Sequence, residues 1–154
     1  MARVRPARSG DEHALFEVVQ AAFAEYAGRL VPPSGAHAET ADTIAERLEL
    51  GALVAEVDAE PVGCLFYRKR EHDLYLGRLA VLPAWRGRGV ARMLVDAAED
   101  LARDRDLEAL TVGVRLQLPQ NIGFFASLGF RPYDVGTHDG FAHPTFLWMK
   151  RLLP

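Results

Sequence analysis

This 154-residue sequence contains a single cysteine, Cys64, and only two lysines, Lys69 and Lys150. One cysteine excludes an internal disulfide and a cysteine zinc cluster, and its position in an apolar segment predicts a buried, inert thiol. No apolar run approaches the length of a membrane span, and no signal peptide is recognised at the N-terminus. We therefore expect a soluble, cytoplasmic protein without a membrane partner.

The sequence also lacks an excess of positive charge. Its 18 Lys and Arg residues are outnumbered by 21 Asp and Glu residues, which gives a formal net charge of -3. Proteins that bind nucleic acids usually present a basic face, so a nucleic-acid partner is not expected. Neither an internal repeat nor a long linker is visible, and the length suits one core. We predict one domain over residues 1–154.

The apolar periodicity predicts a mixed α/β fold. Ser9-Gly-Asp-Glu12 has the form of a capping box, which predicts that a helix begins there, and Gly28 to Ala38 is predicted to be a loop. This first predicted helix ends near Tyr26, and the other predicted helices span residues 40–50, 89–103 and 121–128. The predicted strands span residues 2–5, 53–57, 62–67, 74–81, 109–114, 130–135 and 145–150. This order indicates a mixed sheet with helices on its faces.

The most informative segment is Leu79 to Ala91, where an apolar strand runs through a proline turn and Arg-Gly-Arg-Gly into an amphipathic helix. Glycines let a ligand approach the backbone, and the unpaired N–H groups at a helix start favour an anion, above all phosphate. The segment therefore predicts a phosphate-binding loop. It is neither a Walker nor a Rossmann motif, because it lacks the residues that define each.

The central strand changes the phase of its apolar residues. They occupy even positions up to Leu76 and odd positions from Leu79, with Gly77 between them. A phase slip at a glycine predicts a β-bulge that opens this strand away from the strand at residues 109–114. The alternative is a strand buried on both faces, in which the phase has little meaning.

Two motifs together make the chain resemble a GNAT-superfamily N-acetyltransferase. Arg86-Gly-Arg-Gly-Val-Ala91 matches that family's Arg/Gln-x-x-Gly-x-Gly/Ala motif, and Asn121-Ile-Gly-Phe-Phe-Ala-Ser-Leu-Gly-Phe130 resembles its Asn-x-x-Phe-Tyr-x-x-x-Gly-Phe motif. The resemblance extends over nearly the whole chain. It implies a GNAT-like fold: a central, mostly antiparallel sheet with a parallel, splayed pair of strands, flanked by about four helices.

The resemblance also implies where acetyl-CoA binds. A backbone segment of the central strand pairs with the pantetheine arm, and an N–H at Leu79 polarises the thioester carbonyl. The Arg-Gly-rich loop wraps the pyrophosphate, and Asn121 hydrogen-bonds the arm, although a plain helix N-cap is an alternative role for an Asn there. The cofactor contacts so implied are Leu79, Ala80, Val81, Arg86, Gly87, Arg88, Gly89, Val90, Ala91, Asn121, Phe124 and Phe125.

Acetyl transfer requires a neutral amine, although a free alkylamine has a pKa near 10. Many relatives use a carboxylate on the central strand as the base. Here Tyr75 holds the position four residues before Leu79 and is the catalytic candidate, while packing is the commoner role of a strand Tyr. The further candidates are Asp73, His72, Glu25, Tyr26 and Glu39.

The leaving thiolate lacks an obvious proton donor. Many relatives carry a Tyr four residues before the Gly-Phe pair, and this chain has Phe125 there, so a proton would come from elsewhere, such as Tyr133, or none is needed. His138 and His143 lie near the C-terminal hairpin, which borders the acceptor site in this family. No third ligand is near them, so no metal is expected.

The leading hypothesis is an acetyl-CoA-dependent N-acetyltransferase that acts on a primary amine of a small molecule or peptide by direct attack on the thioester. A non-catalytic acyl-CoA-binding sensor and a small nucleotide-binding α/β domain are the alternatives. The loops at residues 28–38 and 136–144 are expected to form the acceptor site, and they carry no acidic patch typical of polycation binding. Relatives are often dimers, so a homodimer is possible.

Overall fold

The computed structural model describes all residues from 1 to 154 and contains one seven-stranded sheet. The strands are β1 (Arg3–Pro6), β2 (Ala52–Val57), β3 (Glu60–Lys69), β4 (Asp73–Val81), β5 (Ala109–Arg115), β6 (Arg131–Gly136) and β7 (Phe146–Leu152). The helices are α1 (Glu12–Phe23), α2 (Ala41–Leu50), α3 (Val90–Asp104) and α4 (Pro119–Ser127). The sheet order is β1-β2-β3-β4-β5-β7-β6, and only β4 and β5 are parallel. The predicted fold class and element order are confirmed.

Apolar side chains cover both faces of the sheet. On one face, the stripe of α3 that includes Leu94 and Val95 packs against residues of β2 to β5. On the other, α1 and α2 supply Leu15, Val19 and Ile44, all fully buried. Burying each side chain of this size contributes about 1.5–3 kcal/mol. The helices are therefore held by their amphipathic faces, which is the pattern that their sequence periodicity predicts.

The first helix begins differently from the prediction. The capping box predicted at Ser9 is absent: Asp11 precedes the helix and makes no side-chain cap. Its carboxylate instead accepts hydrogen bonds from the Arg5 guanidinium at 2.9 and 3.0 Å. A capping box is present at the start of α2, between Thr40 and Thr43. The predicted loop at residues 28–38 also contains a short 3₁₀ helix, Gly35–Ala38.

The only parallel pairing in the sheet is short. β4 and β5 form a ladder from Asp73 to Leu76, opposite residues 109–112, and β4 then continues without β5 beside it. The sheet is therefore open on one edge of β4, as the predicted splayed pair requires.

A β-bulge lies where the two strands part. Between the pairs Phe66–Gly77 and Cys64–Ala80, β3 advances by two residues and β4 by three. The predicted bulge is confirmed, but its strained residue is Arg78, with φ 48°, and not Gly77. A Cβ on Gly77 would meet nothing closer than 4.0 Å, so the phase slip, and not a need for glycine, is the informative signal.

The predicted burial of Cys64 can be checked directly. Cys64 is fully buried in the sheet, and burial raises the pKa of its thiol to about 12, which keeps it protonated. No helix of the chain combines the length and the apolar character needed to cross a bilayer.

Candidate functional site

A cleft of about 1380 Å³ opens where β4 and β5 separate. Its walls come from the end of α1, the loop around Pro33, the bulge of β4, the start of α3, α4 and the aromatic side chains of β7. Because neighbouring strands normally exchange all their backbone hydrogen bonds, an opened sheet edge offers unused backbone groups to a ligand.

The loop before α3 forms one end of this cleft. Gly87 and Gly89 adopt left-handed backbone conformations, with φ of +74° and +79°, and an added Cβ at either would meet nothing within 4 Å. The first backbone donor of the helix is Met93, whose N–H bonds to the carbonyl of Gly89. The N–H groups of residues 87–92 make no hydrogen bond within the protein. Such a run of free donors at a helix N-terminus is suited to a phosphate or pyrophosphate group.

The two arginines of this loop are both engaged. The guanidinium of Arg86 donates to the Glu25 carboxylate and to the Ala22 carbonyl, each at 2.9 Å, and so joins the loop to the end of α1. The Arg88 guanidinium lies 4.6 Å from the ring centroid of Trp85 and does not line the cleft. The free anion-binding groups of the loop are therefore mainly backbone N–H groups.

Towards the end of β4, successive backbone N–H groups point alternately toward β3 and toward the open edge of the sheet. Leu82 donates its N–H to Val62 of β3 at 2.9 Å, so in an antiparallel ladder Ala80 also faces β3. The amides of Leu79 and Val81 then point to the opposite, open edge, beside the cleft that both side chains line. Ala80 is buried and does not line the cleft.

Helix α4 forms the opposite wall. It begins at Pro119, two residues earlier than predicted, so Asn121 lies within the first turn and is not its N-cap. The amide of Asn121 makes only a long contact, 3.5 Å, with the Tyr26 hydroxyl, and both residues line the cleft. Phe124 and Phe125 also line it, with their ring centroids 5.2 Å apart.

An aromatic wall, defined here as Tyr75, Trp148 and Phe146, bounds the other end of the cleft. The ring of Trp148 packs edge-to-face with Tyr75 at 5.9 Å and with Phe146 at 5.1 Å between centroids. The guanidinium groups of Arg68 and Arg70 each lie 5.4 Å from the Tyr75 ring. Tyr75 is thus packed between Trp148 of β7 and the guanidinium groups of Arg68 and Arg70, and it still borders the cleft.

The structure does not bring the other predicted strand candidates into the cleft. Asp73 accepts from Arg70 at 2.6 and 2.7 Å and from the Thr111 hydroxyl at 2.6 Å. The Arg70 guanidinium above all holds the pKa of Asp73 below its usual range. His72 is exposed beside Glu71. Neither Asp73 nor His72 lines the cleft.

Glu39 is a buried carboxylate behind the bulge. Its Oε2 accepts from Arg47 at 2.6 Å and from Arg78 at 3.0 Å. Burial by itself raises the pKa of Glu39, but Thr43 and the two guanidinium groups more than offset this and leave the pKa lowered. Glu39 stays ionised and paired, which suits a structural carboxylate better than a base. Of the predicted carboxylates, only Glu25 lines the cleft, and it is paired with Arg86.

His138 is a titratable group at the aromatic end of the cleft. Its Nδ1 contacts the Thr145 hydroxyl, which also accepts from the His138 N–H at 2.9 Å. Burial, and next the charge of Arg115, lower the pKa of this imidazole below 6.5, against an opposing effect of Asp139. Its ring is therefore neutral at pH 7 and able to accept a proton. His143 is exposed and lies outside the cleft, and no group of three or more His, Cys, Asp or Glu side chains is arranged to hold a metal ion.

Comparison with protein families agrees with this geometry. The family model described as acetyltransferase (GNAT) family matches residues 15–130, most of the chain. This chain belongs to the GNAT acetyltransferase family. The resemblance predicted from the two motifs is confirmed, and GNAT membership supports acetyl transfer from acetyl-CoA as the general reaction.

Solved GNAT structures share the fold. The ribosomal-protein-S18-alanine N-acetyltransferase of Escherichia coli is 19% identical, with a TM-score of 0.78 over 99% of this chain and 94% of that one. Ard1 from Thermoplasma volcanium is 19% identical, with a TM-score of 0.82 over 99% and 98%. The PaiA N-acetyltransferase from Thermoplasma acidophilum, solved in complex with coenzyme A, is 18% identical, with a TM-score of 0.74 over 99% of both chains.

Sequence reasoning missed the cationic side chains of the cleft. Arg78 and Arg115 both line it, from the bulge and from the end of β5. Arg115 directly follows the predicted strand at residues 109–114, which borders the predicted opening. This position was a usable signal, because polar side chains at the ends of such strands commonly reach the site.

Proposed function

We propose that this protein transfers the acetyl group of acetyl-CoA to a primary amine of a small molecule or peptide, by direct attack of the amine on the thioester. The observation that carries the proposal is the run of free N–H groups at residues 87–92, next to the open edge of β4. A pyrophosphate and an amide-bearing arm need these two sets of groups side by side.

In this proposal each part of the cleft has one task. The N–H groups of residues 87–92 bind the pyrophosphate, and the outward amides of Leu79 and Val81 pair with the pantetheine arm. Asn121 has no strong partner within the protein, so its amide is free to bind the same arm. The N–H of Leu79 donates to the thioester oxygen, whose negative charge grows as the amine adds, and such donors are worth several kcal/mol in the transition state.

The reaction forms a C–N bond and breaks the C–S bond and one N–H bond of the amine. The amine nitrogen adds to the acetyl carbonyl carbon, the C–S bond breaks, and the amine proton leaves, which yields the amide and CoA. His138 is the cleft side chain proposed to take up that proton. His138 is neutral at pH 7, so it is ready to do so without prior loss of a proton. Tyr75 is the alternative, as a relay: its hydroxyl oxygen accepts the amine proton while its own O–H proton passes to the departing thiolate.

A pH profile distinguishes these two residues. If His138 accepts the proton, kcat/KM falls more steeply with decreasing pH below 6.5, because the imidazole then becomes protonated. His138→Asn should remove that extra steepness and lower kcat by about 100-fold. If the profile of His138→Asn keeps its shape while Tyr75→Phe loses most of its activity, Tyr75 is the residue that relays the amine proton.

Binding and turnover are tested separately. Thermal melting with CoA, acetyl-CoA and ATP should show stabilisation by the first two ligands only. A panel of primary amines, followed by CoA release, should then identify at least one acceptor. Stabilisation by ATP alone would point to a nucleotide-binding domain. Tight acetyl-CoA binding without CoA release for any amine would favour a non-catalytic sensor.

Phe125 provides a test of the leaving-group step. A thiol with a pKa near 8.5 leaves as thiolate without much assistance, so we expect turnover despite the missing hydroxyl. Phe125→Tyr should keep acetyl-CoA affinity and leave kcat equal to, or up to about 10-fold above, that of the parent. A large fall in kcat at unchanged affinity would show that the apolar ring itself is needed, packed as it is between Phe124 and Phe130.

A further inference from the structure

Arg115 is a cleft-lining cation without an anionic partner. It ends β5, is partly buried, and donates to the carbonyl oxygens of Pro32 at 2.7 Å and Pro33 at 3.2 Å. It takes part in no ion pair, and its other N–H groups make no hydrogen bond within the protein. A guanidinium has five N–H donors in a fixed fork. Withdrawing such a charge from water without a counter-charge is unfavourable.

The surroundings of Arg115 hold more positive than negative charge. Arg78 and Arg47 share one carboxylate, Glu39, and Arg78 lines the cleft with Arg115. Burial first, and then the charge of Arg78, lower the pKa of Arg115, which places the two guanidinium groups in one electrostatic environment. The same end of the cleft also contains the neutral His138 and Asp139, an exposed carboxylate that lines the cleft.

We infer that the acceptor is a small primary amine that carries a carboxylate, and that Arg115, together with Arg78, binds this carboxylate. This inference rests on the proposed acetyltransferase function. The aromatic wall of Tyr75, Trp148 and Phe146 lies at the same end of the cleft and provides an apolar surface for the carbon skeleton. A carboxylate fits the planar guanidinium fork through two parallel hydrogen bonds.

The same charge arrangement has two consequences for selectivity. A polyamine or another polycation meets repulsion from Arg78 and Arg115 and is disfavoured. The positive surroundings also lower the pKa of a bound ammonium group, which increases the fraction of neutral, reactive amine. Both effects act in favour of an amino-acid-like acceptor.

Matched acceptor pairs test the inference. The probes are α-, β- and γ-amino acids, each with its primary amide, at saturating acetyl-CoA, with rates referred to the concentration of neutral amine. The parent enzyme should prefer at least one amino acid over its amide by about 10- to 100-fold in kcat/KM. Losing a hydrogen bond to a charged group weakens binding by about this factor. Arg115→Gln should remove most of that preference while acetyl-CoA affinity stays unchanged.

Arg131→Gln is the matched control. Arg131 likewise donates to two backbone carbonyls, those of Ala126 and Phe130, but it is exposed on β6 and outside the cleft. Its substitution should leave the preference intact. If Arg115→Gln does not fold, Arg78→Gln replaces it and should reduce the preference by a smaller factor, because Glu39 already holds that guanidinium.

The outcomes separate the inference from the proposed function. Equal or faster turnover of the amides by the parent enzyme would overturn the carboxylate acceptor and leave the acetyltransferase intact. An equal loss with amino acid and amide in Arg115→Gln would show that Arg115 only shapes the Pro32–Pro33 loop, which also overturns the inference. No turnover with any amine would overturn both.

Discussion

Gly89→Glu is expected to abolish the binding of CoA and acetyl-CoA. The new carboxylate would lie among the free N–H groups of residues 87–92 and repel the negative pyrophosphate. Like charges brought together in this way cost several kcal/mol, which corresponds to a loss of affinity of more than about 100-fold. A Cβ at this position meets nothing within 4 Å, so the fold itself has room for the side chain. Isothermal titration with CoA and acetyl-CoA measures the loss.

Two control variants separate charge from backbone strain. A non-glycine residue at φ +79° costs about 1–2 kcal/mol wherever it occurs. Gly10→Glu carries the same carboxylate at φ +102°, also in open space, but away from the cleft, and should bind CoA like the parent. Gly89→Gln should lose less affinity than Gly89→Glu because it adds no charge. Normal CoA binding by Gly89→Glu would place the pyrophosphate elsewhere.

The order and type of the elements could be predicted because each depends on local periodicity. The amphipathic stripe of α3 and the phase slip around Gly77 are properties of consecutive residues, and both correspond to the structure. The helix ends were less predictable. The sequence predicts a cap at Ser9 for α1. In the structure Asp11 precedes this helix instead, and its carboxylate pairs with Arg5 of β1. The fourth helix is predicted to begin at Asn121, although Pro119 already occupies its first position in the structure.

The candidate site likewise has one part that the sequence predicts and one part that it does not. The Gly87 to Ala91 loop is recognisable in the sequence because one continuous segment provides its free N–H groups. The acceptor end is not, because Arg78 and Arg115 belong to two different strands and Glu39 to the segment before α2. Their charges balance or fail to balance only in three dimensions, and no local pattern records that Glu39 neutralises two arginines while Arg115 has none.

Glu39→Ala is expected to lower both stability and activity. The substitution leaves Arg47 and Arg78 without their shared carboxylate. Losing one partner of a fully buried ion pair costs about 3–5 kcal/mol, and the partial exposure of the arginines reduces this to about 2 kcal/mol. For a chain of this length, the melting temperature should fall by about 4–8 °C.

The activity should fall because Glu39 holds the bulge. Arg78 is its strained residue, with φ 48°, and the next residue is Leu79, whose N–H is the proposed oxyanion donor. The Arg78 guanidinium lies against Gly35, where an added Cβ would come within 2.6 Å of its Nη2, so Glu39 and the Gly35 backbone together border this side chain. Since small displacements at a reacting centre have large effects, kcat/KM should fall by about 10- to 100-fold at a temperature where the variant is folded.

Glu56→Ala is the matched control for this double effect. Glu56 is 9% exposed against 8% for Glu39, and it too pairs with two arginines, Arg5 at 3.0 Å and Arg3 at 3.7 Å, but on β2 and outside the cleft. It should lose stability and keep kcat/KM. Unchanged kcat/KM in Glu39→Ala as well would show that the bulge needs no support from that carboxylate.

The pH dependence of stability gives an independent check on Glu39. Its pKa is lowered in the folded protein from 4.5, so its ionised form stabilises the fold fully above the unfolded-state pKa. That stabilisation is lost as the pH falls from about 4.5 through the lower folded-state pKa. The difference in unfolding free energy between the parent and Glu39→Gln should therefore be constant near neutral pH and shrink below pH 4.5. A difference that does not change with pH would mean that the ion pairs of Glu39 contribute nothing beyond what a neutral amide provides.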